Sequence, residues 1–130
     1  MSDRVQASNR AKDNLPSWTI YHNPNCSVSV AGLKLLKDAG ITPEVIDYMK
    51  AVPTEKQMEL LIMKLGGKAE DLLRRKEPLF KERYATLRLN EHEWVQVMRE
   101  NPELIERPIV VRNSKAVIGR PLELIEELIG

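Results

Sequence analysis

The stretch Tyr21-His22-Asn23-Pro24-Asn25-Cys26-Ser27-Val28-Ser29 holds the only cysteine of this 130-residue chain. It lies between a short β-like run, Trp18-Thr19-Ile20-Tyr21, and an apolar-periodic segment that reads as helix from about Val28 to Ala39. Free amide N–H groups and the partial positive charge at a helix start favour an anion. A cysteine placed there ionises more readily and becomes a nucleophile. Asn23, Pro24, Asn25 and Ser27 are turn-forming or polar, which points to a partly exposed thiol. A lone cysteine is also commonly a small buried hydrophobe, and the stretch by itself leaves both readings open. Ser29 and Asn23 carry groups that could donate hydrogen bonds to a thiolate, and equally could only cap the helix.

The bulk properties narrow the classes. A chain of this length is one ordinary domain, able to bury a core without disulfides. One cysteine permits no internal bridge, and with only His22 and His92 beside it no metal site is expected. Twenty basic and 19 acidic residues leave a formal net charge of +1, so no global field draws the protein to nucleic acid or a membrane, and any anion site must be local. No apolar stretch has the length of a membrane span and no secretory leader is evident, so the expected location is cytoplasmic. Residues 1–17 are polar with no sustained apolar period and read as an extension of unassigned role, with the domain over residues 18–130.

The elements that must position the cysteine follow from periodicity and punctuation. Val28, Ala31, Leu35, Leu36 and Ala39 fall on one helical face, with Gly40 as a left-handed stop. Val45-Ile46-Asp47-Tyr48 reads as a second strand, completing a right-handed βαβ unit with parallel strands. Thr54 with Gln57 and Asn90 with Glu93 have the spacing of capping boxes, and Leu89 is placed to staple onto Trp94. Between these two helices a shorter helical piece, Ala69 to about Arg75, is expected to be broken by Pro78. Ile109-Val110-Val111, a polar turn at Arg112-Asn113-Ser114-Lys115 and Ala116-Val117-Ile118 read as a hairpin, and Pro121 opens a closing helix.

A βαβ unit, a helical insertion and a ββα unit, with a cysteine after the first strand and a proline just before the third, resemble the thioredoxin fold. The expected class is therefore α/β: a thioredoxin-like, four-stranded mixed sheet with the insertion between its halves. In that fold the proline is cis, which makes Pro108 the structural cis-proline candidate. Tyr21-His22-Asn23-Pro24-x-Cys26-x-x-Ser29, Leu72-Leu73-Arg74, Arg107-Pro108-Ile109-Val110-Val111 and Gly119-Arg120-Pro121 together resemble the ArsC family of glutaredoxin-linked arsenate reductases. The resemblance covers about Trp18 to Gly130.

That resemblance implies a mechanism. The Cys26 thiolate attacks arsenic, Arg74 and Arg107 hold oxygens of the arsenylated intermediate, and Arg120 binds oxyanion and lowers the thiol pKa. His22 lies near the nucleophile in such proteins and could assist its ionisation, although a histidine ending a strand is more often hydrogen-bonded structurally. The chemistry suits the residue type, because a compact tetrahedral anion is matched by planar guanidinium forks. With no second cysteine, glutathione acts as cosubstrate and glutaredoxin as the following electron donor, with no bound cofactor and no metal. The implied partners are arsenate or a similar oxyanion, glutathione and glutaredoxin, and the protein is expected to act as a monomer without nucleic acid or membrane. Arg75, Arg83, Arg88, Arg99, Arg112 and His92 are assigned to the solvated surface.

In one loop the sequence departs from the family. Such reductases usually read Cys-Gly-Thr-Ser-Arg, whereas here Ser27 replaces the glycine and Val30 the basic residue. Two other readings therefore stand beside the reductase. One is a redox-responsive transcriptional regulator of the Spx type, which usually carries Cys-x-x-Cys where this chain has Ser29. The other is a glutathione-dependent thiol oxidoreductase acting on another substrate. A phosphatase-like Cys-x5-Arg loop is excluded, since Gly32 stands at the arginine's position.

Overall fold

Strand β1 (Trp18–His22) lies at the centre of the sheet, between β2 (Glu44–Asp47), parallel to it, and β3 (Ile109–Arg112), antiparallel. Strand β4 (Lys115–Ile118) completes the order β2-β1-β3-β4. The computed structural model describes residues 16–130. The proposed extension, residues 1–17, therefore lies outside the described residues except for its last two. Of these, Ser17 is tied to the hairpin turn: its N–H donates to Asn113 Oδ1 at 2.8 Å and its carbonyl accepts from Asn113 N–H at 2.9 Å.

Alternation along the strands divides the core in two, because successive side chains leave a strand on opposite faces. Ile20 and Val110 point to one face, where they meet Leu36 of helix α1 (Ser27–Asp38) and Ile125 and Leu128 of helix α5 (Glu123–Ile129). Ile109 and Val111 point to the other. There they pack with Met58 and Leu61 of α2 (Glu55–Leu65), Phe80 of α3 (Pro78–Arg83) and Trp94 and Met98 of α4 (Glu91–Glu100). The result is the thioredoxin-like α/β arrangement that the element order implied, with the insertion α2–α4 covering one face and the βαβ and ββα helices the other.

Both capping boxes form as the spacing predicts: Thr54 Oγ1 accepts from Gln57 N–H at 3.2 Å, and Asn90 Oδ1 from Glu93 N–H at 2.8 Å. Gly40 takes φ +80° and its N–H reaches Lys37 O, while Ile41 N–H reaches Leu36 O, closing the end of α1. Leu89 packs against the cluster that contains Trp94.

Four expectations are corrected. The buried face of α1 is Ser29, Gly32 and Leu36, and Ala39 is exposed. The helix is rotated because Ser29 is drawn to His22 and Gly32 lets Pro108 approach, so small and polar residues take the inner face. Strand β2 ends at Asp47, since the amides of Lys50 and Ala51 fold back onto the Asp47 carbonyl, leaving Tyr48 beyond the strand. The short helical piece is a 3-10 turn over Ala69–Leu72, ended by an antiparallel bridge between Leu73 and Ile105. Pro78 instead opens α3, where its missing N–H costs nothing. Pro121 precedes the first residue of α5 by two positions, and Arg120–Pro121 is a second cis bond beside the expected one at Arg107–Pro108.

Two arginines assigned to the surface are tied into the fold. Arg112 Nη1 donates to the carbonyls of Leu128 and Ile129 at the end of α5, and its guanidinium carbon sits 5.3 Å from the Trp18 ring centroid. Arg99 Nε donates to the Pro53 carbonyl at 3.1 Å, fastening α4 to the loop before α2. His92 is exposed as expected but pairs with Glu55 at 2.6 Å.

Candidate active site

Cys26 is the N-cap residue of α1, with extended backbone angles and no oxygen-bearing cap side chain. Its amide donates to Asn23 O at 3.0 Å and its carbonyl accepts from Val30 N–H at 3.0 Å. Asn23 Oδ1 steadies the turn by accepting from Asn25 N–H at 3.0 Å. The sulfur stands at the N-cap position, where the amides of Val28 and Ser29 in the first helical turn bear on it.

The thiol is less open than the turn residues suggest. Cys26 is 8 % exposed. Polar neighbours account for the cover: Arg120 Nη2 lies 3.4 Å from Sγ. Burial by itself pushes the thiol up. The Arg107 side chain and the amides of Ser29 and Val28 outweigh it, bringing the pKa from 9.0 down to about 7. A substantial fraction is thiolate at neutral pH.

The fold brings two of the three arginines to the sulfur. Gly119 N–H donates to Pro108 O at 2.8 Å, and Arg120 Nε donates to Arg107 O at 2.8 Å. The end of β4 is thus bound to the residues that precede β3, and both guanidiniums face Cys26. Arg74 is placed nearby through Arg74 N–H to Leu104 O (2.8 Å) and Glu106 N–H to Leu72 O (2.7 Å). Its side chain pairs with Glu77 and, at 3.7 Å, with Glu106. With Arg75, Lys76, Asp71 and Arg120 it borders a cleft of about 400 Å³ beside the sulfur's arginine cover. Arg74 is therefore a wall of the adjoining cleft and is engaged by carboxylates.

His22 and Ser29 act at one remove. His22 Nδ1 and Ser29 Oγ are 2.8 Å apart, and the same hydroxyl accepts from Asn23 N–H at 3.0 Å. Ser29 supports the thiolate with its backbone amide while its hydroxyl holds the loop. Burial lowers the His22 pKa, and Lys37 adds to this against the opposing pull of Asp47 and Ser29. The imidazole is neutral at neutral pH and contributes position, not charge.

Tyr48 is a site residue that the strand pattern did not reveal. It is fully buried, and the groups that perturb its hydroxyl are Arg107, Asn23, Arg74 and Cys26. The available signal was register: His22 pairs with Asp47, so the residues that follow, Asn23 and Tyr48, leave adjacent parallel strands together. Among the described residues no group of three His, Cys, Asp or Glu side chains could hold a metal ion, and no helix is long and apolar enough to cross a membrane.

The model of the ArsC family matches residues 21–128, a span that includes Cys26, all three arginines and both cis prolines. The chain belongs to the ArsC family. It is 46 % identical over 113 residues to the uncharacterized protein YfgD of Escherichia coli (strain K12), covering 85 % of this chain and 95 % of that one. It is 38 % identical over 117 residues to an arsenate reductase of Neisseria meningitidis serogroup A, covering 88 % and 100 %. Among solved structures, an arsenate reductase from Vibrio cholerae superposes with a TM-score of 0.82 at 41 % identity, over 88 % of this chain and 98 % of that one. Within this ArsC fold the loop departures are surface features: Ser27 is exposed and Val30 is 48 % exposed.

Proposed function

We propose that this ArsC-family protein reduces arsenate to arsenite, with Cys26 as nucleophile and thiols as the source of electrons. The carrying observation is that Arg107 and Arg120, locked to each other through Arg120 Nε and Arg107 O at 2.8 Å, converge on the sulfur of Cys26. Two fixed guanidiniums beside a thiolate at a helix start make a receptor for a compact oxyanion. The relatives named arsenate reductase support arsenic as the centre attacked.

In this reading the Cys26 thiolate attacks arsenic and displaces one oxygen as water, its charge neutralised by Arg107 and Arg120. Arg74 serves the same intermediate from the cleft side. Glutathione then delivers its thiol; arsenic accepts the electron pair and leaves as arsenite, and Cys26 remains as a mixed disulfide with glutathione. Glutaredoxin reduces that disulfide. The net change is arsenate plus two thiols to arsenite, one disulfide and water. The lowered pKa of Cys26 is reached without the basic residue that Val30 replaces, which supports a thiolate competent for this step.

The test is an assay coupling NADPH oxidation to arsenate through glutathione and glutaredoxin, run beside a glutathionylated peptide as disulfide substrate. Arsenate-dependent turnover that disappears in Cys26→Ser is the expected outcome, because a hydroxyl there is neither ionised nor able to form the sulfur–arsenic bond. Turnover of the disulfide alone would make the protein a thiol oxidoreductase.

A further inference from the structure

The larger core cluster holds the ring of Tyr48, at 0 % exposure, while its hydroxyl reaches the polar end of the sheet. That hydroxyl is buried and has no hydrogen-bond partner among the described residues. An unsatisfied buried hydroxyl is a net cost to the folded state, so a phenylalanine would fill the same space without it. The neighbours explain why the proton has nowhere to go. Arg107 and Arg74 can only donate. Asn23 uses its Oδ1 on the Asn25 amide, which turns its NH2 group, a further donor, towards the phenol. Arg107 Nε, also buried, is likewise unpartnered. Two orphaned donors therefore sit at one end of the sheet among other donors, beside Cys26.

We propose that the Tyr48 hydroxyl is an oxyanion-binding group, donating a hydrogen bond to an oxygen of the tetrahedral anion that Cys26 attacks; this rests on the oxyanion-reduction reading above. An anion oxygen is an acceptor that Arg74, Arg107 and the Asn23 NH2 group do not supply, and it would satisfy Tyr48 and Arg107 together. Burial raises the phenol pKa above its ordinary 10.0 despite the nearby arginines, so the group enters the encounter protonated and able to donate. The hydroxyl supplies direction where the arginines supply charge. A neutral donor in a fixed, dry position adds no competing positive charge and needs no reorganisation when the anion arrives.

Wild type and Tyr48→Phe are compared by the inorganic arsenate concentration that half-protects Cys26 from iodoacetamide, with thermal midpoint and thiol titration measured on the anion-free proteins. The expected result is a requirement for about tenfold more arsenate in Tyr48→Phe, the loss typical of one hydrogen bond to a charged group. Its thermal midpoint should be equal or higher, since the unsatisfied hydroxyl is gone. Equal half-protection in the two proteins, or no protection of wild type at any concentration, overturns the proposal. Protection of wild type without NADPH-coupled turnover overturns the reductase reading alone, and the ratio between the two proteins still decides the role of Tyr48.

Discussion

Cys26 has its reactivity set by a contest between two local effects of opposite sign. Burial favours the neutral thiol, whereas Arg107 and the helix-start amides favour the anion, and the second group wins by enough to bring the pKa to about 7. Alkylation of Cys26 should therefore rise with pH along a single titration centred near 7. Arg107→Gln should move that centre upward, towards 9.0, and Arg88→Gln should leave it in place; coincident curves for all three proteins would refute the role of Arg107. The same shift fixes the pH dependence of stability. The folded thiol holds its proton more weakly than the unfolded one, so between about 7 and 9 the unfolded chain carries more protons. Folding is thus favoured increasingly as pH rises through that window, and the benefit disappears as pH falls through about 7. Denaturant unfolding at the two ends of the window measures it, and Cys26→Ser should flatten the difference.

Elements meet at this site through glycines that permit close approach. A Cβ on Gly119 would stand 2.6 Å from Ile125 Cδ1 and 3.0 Å from Pro108 Cγ, and one on Gly32 would stand 3.0 Å from the same proline atom. The start of α1, the cis Arg107–Pro108 bond, the end of β4 and helix α5 therefore converge on Pro108, and the residues beside them are Cys26, Arg107 and Arg120. Gly119→Ala should force Ile125 or Pro108 aside, lowering stability by about 1–3 kcal/mol. It should cut arsenate turnover more than that loss explains, because Arg120 is the next residue; full activity with a lowered thermal midpoint would show that Arg120 is held independently of this packing. Sequence pattern reaches some of this level and not the rest. Thr54 with Gln57, Asn90 with Glu93 and Gly40 are legible because capping depends on neighbours a few residues away. The inner face of α1 is not, since Ser29 and Gly32 are buried by partners at His22 and Pro108. Nor is the part played by Arg112, whose carbonyl acceptors lie in another element.

Across the whole molecule, the site draws on four separated segments: the turn at Cys26, the bridge at Leu73 that carries Arg74, Arg107 before β3, and Arg120 after β4. The sheet order β2-β1-β3-β4 unites them by placing β1 between the strands that lead to Tyr48 and lead away from Arg107. Charge is arranged in the same local way. With a net charge of +1 over the chain, the positive field at the thiolate comes from placement of a few guanidiniums and not from excess base. In the proposed reaction such a framework would activate and hold an oxyanion but has no second thiol with which to finish a two-electron reduction. An enzyme with a resolving cysteine would close its cycle with an internal disulfide; under the proposed mechanism this chain would pass its oxidation to another molecule. A single turnover with arsenate and glutathione, quenched by acid and read by intact-mass spectrometry, should therefore trap one glutathione on Cys26 as a mixed disulfide. Adding glutaredoxin should erase that adduct and restore a second turnover. Sustained arsenite formation with no adduct at Cys26, supported by a reductant that is not a thiol, would mean that the electrons travel by a route other than the one these residues provide.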